Sequence, residues 1–140
     1  MIVHINSYPG VGKLTIGRLL AERLGAKLLD NHSMCNVAFA LSELNSPAFC
    51  ETVRAVRETA YALVLDLPAE TPVILTNGYS QGSPWGIEKW EAVIALARKR
   101  GCPCSWWFCP VHRRKRNAAS KVRSGWASAS REISRWSKAM

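Results

Sequence analysis

The chain has 140 residues and a formal net charge of +9, a length that suits one domain with a single core. No apolar run approaches the roughly 20 residues of a membrane helix, and the N-terminus lacks a basic segment followed by an apolar one, so a cytoplasmic protein is expected. Five cysteines without Cys-x-x-Cys spacing and three scattered histidines argue against a zinc site.

Residues 1–5 read as a short apolar strand, and Lys13–Leu24 reads as an amphipathic helix whose inward face is Ile16, Leu19, Leu20 and Leu24. Between them runs Ile5-Asn6-Ser7-Tyr8-Pro9-Gly10-Val11-Gly12-Lys13-Leu14-Thr15. A glycine-rich turn between a strand and a helix leaves backbone N–H groups at the helix start, where they and the helix dipole attract a polyphosphate. Gly10 and Gly12 let the main chain wrap around the anion, and Lys13 brings a point charge to the outer phosphates.

Gly25 ends that helix, and Lys27–Asp30 is a second short strand. Ser33 is placed to cap a helix with Met34, Val37, Leu41 and Leu44 on one side, stopping at Asn45-Ser46-Pro47. A longer helix before Pro68 carries Val53, Val56, Ala60, Leu63, Val64 and Leu67, with Arg54 and Arg57 on its polar side and Glu58 placed to pair with Arg54. Residues 73–76 form an apolar and therefore central strand. Ser83-Pro84 opens a further helix with Ile87, Trp90, Ile94 and Ala97 inward, closed by Arg98-Lys99-Arg100-Gly101. Alternating strands and helices predict a parallel sheet with ligands at the carboxyl ends of its strands. The segments expected there are 7–13, 30–32 and 76–78.

The character of the chain changes near residue 101. Residues 1–100 hold ten Lys/Arg, nine Asp/Glu and thirteen leucines; residues 101–140 hold nine Lys/Arg, Glu132 alone, no leucine and four of the six tryptophans. The division expected is therefore a core over 1–100 and a basic, Trp/Ser/Arg-rich, partly disordered tail over 101–140. Residues 105–109 suit one more buried strand, but no helix pattern follows.

Pro9, Gly10, Gly12, Lys13 and Thr15 fall on the Gly-x-Pro-Gly-x-Gly-Lys-Gly-Thr loop of adenylate kinases. Over residues 1–100 the chain resembles P-loop small-molecule and nucleotide kinases of the adenylate kinase/shikimate kinase type, with a loop also similar to that of AAA-family ATPases. The resemblance implies a three-layer α/β/α P-loop NTPase fold, incomplete at the C-terminus, and ATP with Mg2+ as cofactors. It implies transfer of the γ-phosphoryl group to a small-molecule or nucleotide acceptor. Pro9, Gly10, Val11, Gly12, Lys13, Leu14 and Thr15 would bind the nucleotide, with Lys13 neutralising charge in the transfer and Thr15 nearest the metal.

Asp30 stands where shikimate and gluconate kinases place an aspartate facing the acceptor hydroxyl; a turn or N-cap carboxylate is the equal alternative. Arg57 is a candidate for the acceptor as well. The chain departs from the family pattern at Ser7, where a glycine belongs, and at Leu14, where P-loops in general place a hydroxyl. It departs again at Thr76-Asn77, where an acid would support the metal. A nucleotide-binding remnant without catalysis is one alternative. Another is a nucleic-acid-binding protein using the basic tail, with Trp106, Trp107, Trp126 and Trp136 stacking on bases.

The tail has a third explanation in the genetic code. If the third base of each codon is joined to the first two of the next, Trp106-Trp107, Trp107-Phe108 and Phe108-Cys109 must encode Val-Val-Leu. Residues 121–127 then permit Ser-Pro-Glu-Arg-Leu-Gly, with the last glycine forced, which resembles the lid segment of the same kinases. Residues from about 101 onward are accordingly expected to be an out-of-frame reading of a kinase-like C-terminus.

Overall fold

The computed structural model describes residues 1–78 and 82–108. Four parallel strands form one sheet in the order β2-β3-β1-β4: β1 (Ile2–Asn6), β2 (Lys27–Asp30), β3 (Val73–Asn77) and β4 (Cys104–Phe108). β1 and β3 are central and buried along their whole length, as expected of strands with neighbours on both sides and helices on both faces. Asn6 pairs with Asn77 and Asp30 with Thr76, so the strands end level with one another. Residues 109–140, with the basic run 112–116, lie outside the described residues.

Helix α1 (Lys13–Leu24) covers the face made by Val3, Ile5, Ile74 and Leu28. The inward residues differ from those expected. Ile16, Leu19 and Leu24 are exposed, and Gly17, Leu20 and Ala21 turn toward the sheet. Gly17 explains the rotation: a Cβ there would lie 3.0 Å from Thr76 Cγ2 and 3.1 Å from a Leu28 methyl. The helix docks on its glycine, which lets the backbone approach more closely than a leucine stripe would.

The other face carries α2 (Asn31–Leu41), α3 (Pro47–Asp66) and α4 (Pro84–Lys99), packed in one core with Ile2, Val73 and Leu75. In α2 the buried residues are Met34, Cys35 and Ala38, whereas Val37, Leu41 and Leu44 are exposed. The helix starts two residues before Ser33 because Asp30, not Ser33, is its N-cap. In α3 the buried stripe is Phe49, Val53, Arg57, Tyr61 and Val64; Leu63 is exposed and Arg57 is inside. Ser83 caps α4 as expected, its hydroxyl accepting from the Gly86 N–H at 3.0 Å, and the buried residues there are Gly86, Val93, Leu96 and Ala97. Ile87 is exposed.

Candidate active site

The loop after β1 is shaped by its glycines. Gly10 and Gly12 have φ of 78° and 84°, a left-handed backbone that a side chain would strain. Gly12 is the N-cap of α1 and supplies no capping side chain, and no acidic residue stands in the first turn. The helix start thus carries its partial positive charge with no built-in anion to offset it. Lys13 folds back over the loop, its Nζ donating to the Ser7 carbonyl at 3.0 Å and the Tyr8 carbonyl at 2.6 Å. Thr15 is exposed in the first turn, and Leu14 is half-buried beside it.

The sheet brings the other expected segments to the same edge. Ser7 N–H donates to the Asn77 carbonyl at 3.3 Å, which joins the loop to the end of β3. Asp30 ends β2 and caps α2: its carboxylate accepts from the backbone N–H groups of His32 and Ser33 at 2.8 and 3.3 Å and from the Ser33 hydroxyl at 2.6 Å. Partial burial pulls this carboxyl upward, but the three hydrogen bonds outweigh it and hold it below the ordinary aspartate value. Asp30 is ionised at neutral pH.

Arg57 projects from α3 into a charged cluster that the sequence did not reveal. Its residue exposure is 7%, its Nη2 donates to Glu88 at 3.1 Å, and its Nη1 is buried with no hydrogen-bond partner among the described residues. Arg54 does not pair with Glu58. Its Nε and Nη2 grip both oxygens of Glu88 at 2.8 Å. The hydrogen bonds from Arg54, then Arg57, pull the Glu88 carboxyl down to about 2 against partial burial. Arg54, Arg57 and Lys89 all approach the Trp85 ring, at 5.0, 6.0 and 5.1 Å from its centre. Burial lowers the Lys89 pKa. The spacing 49-53-57-61 in α3 was the available signal, since it places an arginine within an apolar stripe.

No family model matches the chain. A cytidylate kinase from Corynebacterium glutamicum is 35% identical to it over 99 residues, which cover 69% of this chain and 43% of that protein. Together with a parallel sheet that holds a glycine loop and lysine between its first strand and first helix, this decides the fold. The chain has a P-loop kinase-like fold. This kinase-like chain spans less than half the length of the curated relative it matches. A solved shikimate kinase from Acinetobacter baumannii, in complex with shikimate, is 18% identical, with a TM-score of 0.46 over 78% of this chain and 56% of that one. No helix among the described residues of the kinase-like chain is long and apolar enough to cross a membrane.

Proposed function

We propose that this chain binds ATP at residues 9–15 and transfers its γ-phosphoryl group to a small-molecule or nucleotide acceptor. The observation that carries this reading is the uncapped start of α1, entered through two left-handed glycines, with Lys13 folded over it. Pro9, Gly10, Val11, Gly12, Lys13, Leu14 and Thr15 enclose the phosphates, and all of them except Pro9 have a backbone N–H to offer. Lys13 leaves the Ser7 and Tyr8 carbonyls and places its ammonium on the β- and γ-phosphates. Asp30 orients the acceptor hydroxyl or takes its proton, and Arg57 meets the acceptor from α3.

The residues present fit a hydrated Mg2+. The exposed Thr15 hydroxyl and the Oδ1 of Asn77, buried and without a partner among the described residues, are neutral oxygens of the kind that ligate a hard cation or accept hydrogen bonds from its waters. When bound with the nucleotide, such an ion neutralises phosphate charge. Leu14 and the uncharged Asn77 weaken the protein's own hold on it, and they favour a second reading in which ATP is bound without transfer.

Calorimetry with ATP tests the binding, and a radiolabelled-phosphate assay over nucleoside monophosphate and hydroxy-acid acceptors tests the transfer. Binding that disappears in Lys13→Ala, with a labelled product from wild type, supports the first reading. Binding without product selects the second. No heat with ATP overturns both.

A further inference from the structure

His4 and Asn77 are polar side chains buried beneath the phosphate loop. His4 stands in the middle of β1 with 1% exposure, and Asn77 ends β3 with none. A strand covered on both faces ordinarily carries aliphatic residues at such places, and an unsatisfied polar group there is costly. The two partner each other: Asn77 Nδ2 lies 2.8 Å from His4 Nε2. Trp90 and Trp106 wall the imidazole at 5.5 and 5.1 Å, and the two indoles stack on one another at 4.2 Å. Burial lowers the His4 pKa to about 3, so the ring is neutral and Nε2 has a lone pair to accept with.

The other end of the amide is spare. Asn77 Oδ1 is buried and has no hydrogen-bond partner among the described residues. The residue lies under the loop entry: it pairs with Asn6, its backbone carbonyl accepts from Ser7, and a Cβ on the adjacent Gly78 would lie 3.6 Å from the Ser7 carbonyl. With Nδ2 turned to His4, Oδ1 is the amide atom left for the ends of the strands.

We propose that His4 is a positioning residue whose imidazole latches the Asn77 amide with its carbonyl oxygen toward the phosphate loop, there to accept a hydrogen bond from a water of nucleotide-bound magnesium. This rests on the ATP-binding reading of the same site. The latch fixes which end of the amide faces the metal's water, a choice an untethered asparagine would not make. It also suits a neutral residue at position 77. An aspartate there would face an uncharged imidazole packed against two stacked indoles, where a carboxylate loses solvation without gaining a counter-charge.

The test measures ATP affinity of the full chain by calorimetry, with magnesium and with EDTA, and takes the ratio of the two so that a general loss cancels. His4→Phe and Asn77→Ala are each expected to lower the magnesium-dependent gain by roughly tenfold, the usual scale for removing a group that orients a metal site. The double variant is expected to lose no more than Asn77→Ala, and His4→Gln, whose amide oxygen can accept from Nδ2, to recover most of the gain. Nitrogen NMR of the folded wild-type protein is expected to show scalar coupling between Asn77 Nδ2 and His4 Nε2.

The proposal is overturned if that coupling is absent, or if His4→Phe keeps the gain that Asn77→Ala loses. It is also overturned if neither variant changes the gain. Each of those outcomes leaves ATP binding intact. Failure of the wild-type protein to bind ATP in either buffer instead overturns the nucleotide reading beneath it.

Discussion

The Lys13 ammonium donates to the carbonyls of Ser7 and Tyr8 before any nucleotide arrives. Exchanging neutral carbonyls for phosphate oxygens converts its hydrogen bonds into charge-paired ones, which are about twice as strong. Lys13→Ala is accordingly expected to weaken ATP binding by about 100-fold in a calorimetric titration, with no comparable loss of thermal stability. His4 supplies a prediction of the opposite kind. Above its ordinary value of 6.5 the imidazole is neutral whether the chain is folded or not, but between 6.5 and about 3 only the unfolded chain takes up the proton. Stability therefore falls as pH falls through that window, by up to about 1.4 kcal/mol per pH unit. Denaturant unfolding between pH 6.5 and 5 is expected to show this slope in wild type and a flatter one in His4→Gln. Lys13 stood out because a motif of neighbours in sequence announces it, and Asp30 because of its place just after the second strand, although Ser33 was expected to cap the helix that Asp30 caps. His4 was not, since nothing near it in the chain says that an asparagine 73 positions later will meet its ring.

At the scale of elements, caps and breakers located the helices well, but the buried faces differed from a count of apolar residues. In α1 the decisive residue is Gly17, pressed against Thr76 and Leu28. Alanine gains about 1 kcal/mol over glycine in helix propensity, whereas a large side chain must push α1 off the sheet. Gly17→Leu is expected to cost about 2 kcal/mol or more in denaturant unfolding and to weaken ATP binding, because α1 carries the loop with it. Arg100, expected only as a cation near the end of α4, does more. Its guanidinium donates to the carbonyls of Leu67, Pro68 and Thr71 at 3.3, 2.7 and 3.0 Å and also to that of Val64, tying α4 to the turn before β3. Arg100→Met leaves several of these carbonyls without their donor and is expected to cost about 2–3 kcal/mol in the same measurement.

At the scale of the whole molecule, the strand order places β1 and β3 side by side, so Ser7, Asp30 and Asn77 reach one edge although their positions span 70 residues of chain. β4 pairs with β1 along Cys104–Phe108, and Trp106 packs on Trp90. An apolar strand results whether codons 106–109 are read as Trp-Trp-Phe-Cys or, one base back, as a run of Val-Val-Leu. The pairing is thus compatible with the displaced frame we propose for residues after about 101. Sequencing the DNA across codons 95–140 is expected to show that frame open, and a stop within a few codons would end the idea. Order of elements, the caps at Gly25 and Ser83, the phosphate loop and the central strand were determined by the sequence alone, because each depends on residues within a few positions of one another. Which helix faces are buried, the grip of Arg54 and Arg57 on Glu88 and the His4–Asn77 latch were decided only by the tertiary structure. Those contacts join residues 31 to 73 positions apart, brought together by how closely the helices dock on the sheet.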